Sequence, residues 1–158
     1  MDLNLVIAGE AGQGLQTLEE IIGKALYRQG YNVFSHKDYM SRVRGGHNFS
    51  RLRIAPGQPW TTVESTDVLV ALNEETYSRH SEKLVSNGRV IYDPQLFSLP
   101  AEESRGVPVE LKQLAEEAGG RVMANTVAVG ALLVLMGYTL SLHDALPFQV
   151  GMERKSVV

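Results

Sequence analysis

The sequence predicts an α/β three-layer sandwich with a mostly parallel sheet, and three observations carry that prediction. Leu3–Ala8 and Asp67–Leu72 are near-continuous apolar runs, the pattern of strands buried on both faces. A turn rich in glycine follows the first run and leads into apolar positions at helical spacing. Strand and helix patterns then go on alternating, which places helices on the faces of one sheet.

In chain order, Leu3–Ala8 is the first strand. Leu15, Leu18, Ile21, Ile22, Ala25 and Leu26 mark a helix that Gly30 stops, and Tyr31–Ser35 is a second strand. Such a crossover is nearly always right-handed, so the helix lies on one face. Asn48–Ala55 alternates imperfectly and ends at Pro56-Gly57, as expected of a more exposed, antiparallel strand. Asp67–Leu72 is again buried, followed by a polar helix from Glu74 to about Ser86. Asn87-Gly88 punctuates before a strand at Arg89–Tyr92, which Asp93-Pro94 ends. Leu96–Gly106 reads as an irregular excursion, Val107–Leu111 as a short strand, and Lys112–Ala118 as a helix closed by Gly119-Gly120. Asn125 is placed to cap a last, apolar helix.

Composition narrows the function. A chain of 158 residues with 44% apolar content is one ordinary domain, long enough to bury about two-thirds of its unfolded surface. The formal net charge of −3 gives no general attraction to nucleic acid or anionic membranes. No apolar run reaches the length of a membrane span, and the N-terminus lacks a signal peptide's basic region, so a cytoplasmic location is expected. There is no cysteine. Iron–sulfur clusters are held chiefly by cysteine thiolates, so any such centre belongs to another domain or subunit. The histidines His36, His47, His80 and His143 lack helical metal-ligand spacing, and no metal site is expected.

Two segments carry the candidate site. Gly9, Gly12, Gln13 and Gly14 lie between the first strand and its helix, where free backbone N–H groups and a helix N-terminus favour an anion. Their order is G-x-x-G-x-G, not the dinucleotide fingerprint, and the candidate acids, Glu10 in the turn and Asp38 past the second strand, are poorly placed for a ribose. A tight turn with close helix–sheet packing is the other reading of the glycines, and the helix terminus that follows favours the anion. There is no P-loop lysine. Arg42 and Arg44 flank Gly45 and Gly46, so that two guanidiniums could grip phosphate or carboxylate, or form a solvated turn paired with Glu10 or a neighbouring domain. Arg51 and Arg53 share one strand face, as an exposed sheet surface or a subunit contact. His47 reads as a hydrogen-bonding turn residue. No nucleophile has a visible base, so no catalytic residue is assigned.

AGEAGQGLQT (Ala8–Thr17), YMSRVRGGHNFSRLRI (Tyr39–Ile54) and TDVLVALNEET (Thr66–Thr76), in this order, resemble the gamma domain of the 2-oxoacid:ferredoxin (acceptor) oxidoreductases, most closely the domain at the N-terminus of 2-oxoglutarate-type alpha subunits. The resemblance covers roughly residues 1–138 and implies a Rossmann-like module. It implies a share in a multisubunit oxidoreductase that decarboxylates a 2-oxoacid to an acyl-CoA. Thiamine diphosphate, magnesium and iron–sulfur clusters would sit in the alpha and beta parts or other subunits, and ferredoxin would take the electrons. For this domain it implies coenzyme A handling and assembly, at Gly9, Gly12, Gln13, Gly14, Arg42, Arg44, Gly45 and Gly46. The alternative is a stand-alone nucleotide-binding or regulatory module without enzymatic activity.

The C-terminal stretch reads unlike the rest. If Leu142–Pro147 is encoded CTA CAC GAC GCT CTT CCG, the opposite strand reads Arg-Lys-Ser-Val-Val-stop, which is Arg154–Val158 and the chain end. Extended to Thr139, the same DNA resembles a common sequencing adapter. The expectation is a domain over 1–138, truncated in the gene, followed by a non-native tail over 139–158.

Overall fold

A computed structural model of the chain describes residues 2–10, 15–39, 47–120 and 123–137. Among these residues the elements are β1 (Leu3–Glu10), α1 (Leu15–Arg28), β2 (Asn32–Tyr39), β3 (His47–Ala55), β4 (Thr66–Ala71), α2 (Glu74–His80), β5 (Leu84–Tyr92), β6 (Gly106–Pro108), α3 (Leu111–Glu117) and α4 (Ala124–Leu135). They form one six-stranded sheet in the order β2-β3-β1-β4-β5-β6. β3 runs antiparallel to both of its neighbours, and every other pairing is parallel. The mixed but mostly parallel sheet, with helices on it, is the architecture expected.

Alternation along β1 builds both faces. Leu5 and Ile7 point into a cluster with Leu18, Ile22 and Leu26 of α1, Leu111 of α3, and Ala128, Val129, Leu132 and Leu133 of α4. Val6 and Ala8 point the other way, into a smaller cluster with Leu69, Ala71, Leu84, Val90 and Phe97, against which Phe49 and Tyr77 of α2 pack. The sheet is therefore the middle of three layers. α1 buries the i, i+4 stripe Leu18, Ile22 and Leu26 and ends in a Schellman turn. There Tyr31 N–H donates to the Leu26 carbonyl and Gly30 N–H to that of Tyr27, with Gly30 at φ +85°, a conformation that costs glycine least.

Several boundaries differ from the sequence reading. β2 continues to Tyr39, so Asp38 lies within the strand, opposite Phe49, and not beyond it. Glu10 closes β1 opposite His47 and does not sit within the turn. The polar helix stops at His80, gives one 3₁₀ turn at Ser81–Lys83, and β5 begins at Leu84. Asn87-Gly88 therefore lies inside a strand. The register there jumps from Thr66↔Leu84 to Val68↔Arg89, an irregularity that brings backbones close. A Cβ on Gly88 would stand 2.8 Å from Leu84 Cγ and 3.0 Å from the Asp67 carbonyl oxygen. The glycine marks an approach, not a turn.

β6 is shorter than expected, because Leu111 opens α3. Glu110 offers no side-chain cap to that helix. The buried Asp93 substitutes: one carboxylate oxygen accepts from Gln95 N–H and the other from Lys112 N–H, each at 2.9 Å. α4 starts from Met123, with Asn125 inside its first turn and not at the cap.

Candidate ligand site at the carboxyl edge of the sheet

The last residue of β1, Glu10, pairs with the first residue of β3, His47; Gly9 pairs with Asn48, which also faces Tyr39 at the end of β2. The glycine turn and the arginine segment thus leave the sheet from adjacent strand ends. Gly9 lies within β1. Gly12, Gln13, Gly14, Arg42, Arg44, Gly45 and Gly46 lie outside the described residues; their anchors do not. From β1 the chain crosses through α1 to β2 on one side, while β4 pairs with β1 on the other and Leu72 N–H donates to the Ala8 carbonyl at 3.3 Å. Connections that diverge in this way mark the usual ligand position of open α/β sheets, at the carboxyl ends of the strands.

Below this edge, on the α2 face, lies a buried group that the sequence reading did not assemble. His47 Nε2 and His80 Nε2 are 2.9 Å apart, with the two residues only 5% and 6% exposed. One ring must donate and the other accept, which gives a neutral pair opposite tautomers. Phe49 meets His80 edge-on at 4.9 Å and lies 6.2 Å from His47. The Arg51 guanidinium covers the Phe49 ring at 5.7 Å. Burial pushes the His80 pKa down to about 4, helped by His47, Arg51, Lys83 and Arg79. His47 is also lowered, by burial and by Arg79, against an opposing pull from Glu75. Among the described residues, His47 Nδ1 and Arg51 Nε are buried without a hydrogen-bond partner. The cue for His80 was Thr76 and His80 at i, i+4, the uncharged stripe of an otherwise charged helix, and both are buried.

The register places Arg51 and Arg53 on one face, opposite Val6 and Asn4 of β1. Arg53 forks onto Asp2, with Nε and Nη2 at 3.0 and 2.7 Å from its two oxygens. On the helix-rich face, Glu19 of α1 accepts from Ser50 Oγ at 3.2 Å and pairs with Lys37 at 3.1 Å, tying α1 to β3 and β2. A second polar corner holds the Leu96–Gly106 excursion against α2. Glu103 receives both arms of Arg105, at 2.7 and 2.6 Å, and the Tyr77 hydroxyl at 2.8 Å. These bonds, chiefly that of Arg105, hold the Glu103 pKa down at about 2.

An open, mostly parallel sheet with helices on both faces defines a Rossmann-like α/β domain. The family model described as pyruvate ferredoxin/flavodoxin oxidoreductase matches residues 4–154, and the chain belongs to that family. It is 28% identical over 167 residues to the alpha subunit of 2-oxoacid:ferredoxin oxidoreductase 2 of Aeropyrum pernix, covering 93% of this chain and 25% of that protein. It is 30% identical to indolepyruvate oxidoreductase subunit IorB of Archaeoglobus fulgidus, covering 87% and 78%. A 2-oxoglutarate:ferredoxin oxidoreductase structure from Magnetococcus marinus, with 2-oxoglutarate, coenzyme A and succinyl-CoA bound, superposes with a TM-score of 0.78 at 27% identity, over 91% of this chain and 26% of that one. The gamma subunit of keto/oxoacid ferredoxin oxidoreductase from Geobacter sulfurreducens gives 0.74 at 26% identity, over 92% and 81%. The chain spans about a quarter of the first of these relatives and most of the separate subunits. These likenesses do not favour a stand-alone regulatory module.

Proposed function

We propose that this chain is the gamma part of a 2-oxoacid:ferredoxin oxidoreductase and helps to hold coenzyme A without performing the redox chemistry. The observation that carries the reading is the pairing Glu10↔His47. It brings together the strand ends from which the glycine turn and the arginine segment lead, on a domain whose relatives are oxidoreductase subunits. The donors fit the ligand: backbone N–H groups ahead of α1 and the guanidiniums of Arg42 and Arg44 suit phosphates, and the unmet His47 Nδ1 leaves a polar atom at the same edge. When bound, coenzyme A supplies the thiol that receives the acyl group. Gly12, Gly14, Gly45 and Gly46 let the backbone come close to it, Gln13 adds a backbone N–H in the same turn, Gly9 lies at the end of the buried strand leading into that turn, and the arginines neutralise its charge.

Thiamine diphosphate, magnesium and the iron–sulfur clusters are assigned to the alpha and beta parts, since a chain without cysteine has no thiolates for a cluster. The assembly would pass electrons to ferredoxin in the cytoplasm. Alone, the chain is expected to be inactive in 2-oxoacid-dependent reduction of viologen dyes, and adding the complementary subunits should restore turnover. Turnover by the chain alone would overturn this division of labour. Assays of the assembled enzyme with 2-oxoglutarate, pyruvate, branched-chain and aryl oxoacids identify the substrate. Thr139–Val158 is proposed to be foreign to the native chain, although the family match runs on to residue 154; an intact native reading frame encoding this stretch in the source gene would refute it.

A further inference from the structure

We infer that His80 is a positioning residue for the ligand edge, acting through His47 to hold the β3 end of the Arg42–Gly46 segment. The inference rests on the coenzyme A reading above and names a residue that no motif marks. His47 directly follows Gly46 in the chain, and across the sheet it faces Glu10, which directly precedes the glycine turn. A shift of His47 is therefore a shift at the base of both segments. Its backbone is set by the β-ladder, but among the described residues its side chain has one hydrogen bond, the 2.9 Å contact to His80. His80 is the last residue of α2, whose first turn is fixed by Asn73 Oδ1 accepting from Thr76 N–H at 2.9 Å. The tether thus runs from a capped helix, through two buried rings, to the loop end.

The surroundings keep the tether specific. Phe49 packs edge-on against His80 and carries Arg51 on its ring, which leaves the imidazoles little room to rotate. Glu75 and Arg79 pair with each other at 2.8 Å, and Lys83 pairs with Glu64 at 3.4 Å, so these charged neighbours have their own partners. Buried polar atoms without a partner are rare in folded proteins. Removing the His80 ring would leave His47 Nε2 without its partner, beside the already unmet Nδ1, and the simplest relief is to move the end of β3 toward water.

The test uses the assembled oxidoreductase carrying His80→Leu, His80→Gln or Arg44→Ala. His80→Leu should raise the KM for coenzyme A about five- to tenfold, as expected for loss of roughly one hydrogen bond, while kcat at saturating coenzyme A stays close to the parent value. His80→Gln, whose amide can still reach His47 Nε2, should restore most of the KM. Hydrogen exchange should speed up in peptides spanning residues 40–48 for His80→Leu and not for His80→Gln. If Arg44→Ala raises the KM and His80→Leu does not, the positioning role is wrong and the coenzyme A reading stands. If Arg44→Ala leaves the KM unchanged, the coenzyme A reading fails, and hydrogen exchange alone decides whether His80 holds the segment: unchanged exchange in His80→Leu overturns that too.

Discussion

The two faces of the sheet are built on different physics. On the face of α1, α3 and α4, aliphatic side chains such as Leu18, Ile22, Leu26 and Leu132 are almost wholly buried and fill one large cluster. On the face of α2 the apolar cluster is smaller, and polar groups hold the layer in place: the His47–His80 bond and the Glu103–Arg105–Tyr77 corner. Aliphatic packing is non-directional and supplies most of the stability. Hydrogen-bonded side chains are directional, and they lie where a loop end or an excursion has to be placed. The helix-rich face makes the domain stable, and the α2 face sets its geometry.

The largest effect that sharpens this contrast is Leu132→Ala, which deletes a fully buried side chain beneath α4. It should lower the unfolding free energy by about 2–5 kcal/mol in urea titration. A loss below about 1 kcal/mol would show that the helix-rich face is not the main source of stability. Glu103→Ala should come next, at about 1–3 kcal/mol, because it strips Arg105 and Tyr77 of a shared, largely buried acceptor. A substitution without effect there would mean that the excursion is held by Phe97 and Leu99 alone.

Acid should separate the two polar groups by pH window. His80 resists protonation until about pH 4 against an ordinary 6.5. Between those values the unfolded chain binds a proton that the folded one refuses, so stability falls as pH drops from 6.5 to 4 and this contribution then levels off. Glu103 behaves as a depressed carboxylate. Its contribution is intact above 4.5 and is lost as pH falls toward about 2. Each slope is at most about 1.4 kcal/mol per pH unit. His80→Gln should flatten the upper window only, and an unchanged upper slope would contradict the buried neutral pair. The smallest effect belongs to Arg53→Ala, whose pairing with the half-exposed Asp2 is screened by water and should leave the urea midpoint almost unchanged.

The buried strands, α1 and its glycine stop, the antiparallel β3 and the shared face of Arg51 and Arg53 were legible because each follows from local period or turn chemistry. The end of α2, the bulge at Gly88 and the start of α3 were not. The last two depend on contacts that local pattern does not show: the Asp67 carbonyl of the neighbouring strand crowds Gly88, and Asp93 caps α3 from the end of β5. At the site, the two motifs were visible in the chain, but their shared anchorage at Glu10 and His47 is a property of strand order. His80 left only a weak local cue, its i, i+4 spacing from Thr76, because a histidine at the end of a charged helix can equally face water.

The central claim is that the edge formed by the glycine turn and the arginine segment takes coenzyme A. Calorimetric titration of coenzyme A into the folded chain, at low and at high ionic strength, tests it most directly, with Arg44→Ala and Gly14→Val for comparison. Weak binding is predicted that fades with added salt and is reduced in both variants, since one loses a charge-assisted phosphate contact and the other blocks the approach of the backbone. No binding to the well-folded chain, or equal binding by parent and both variants, would contradict the account.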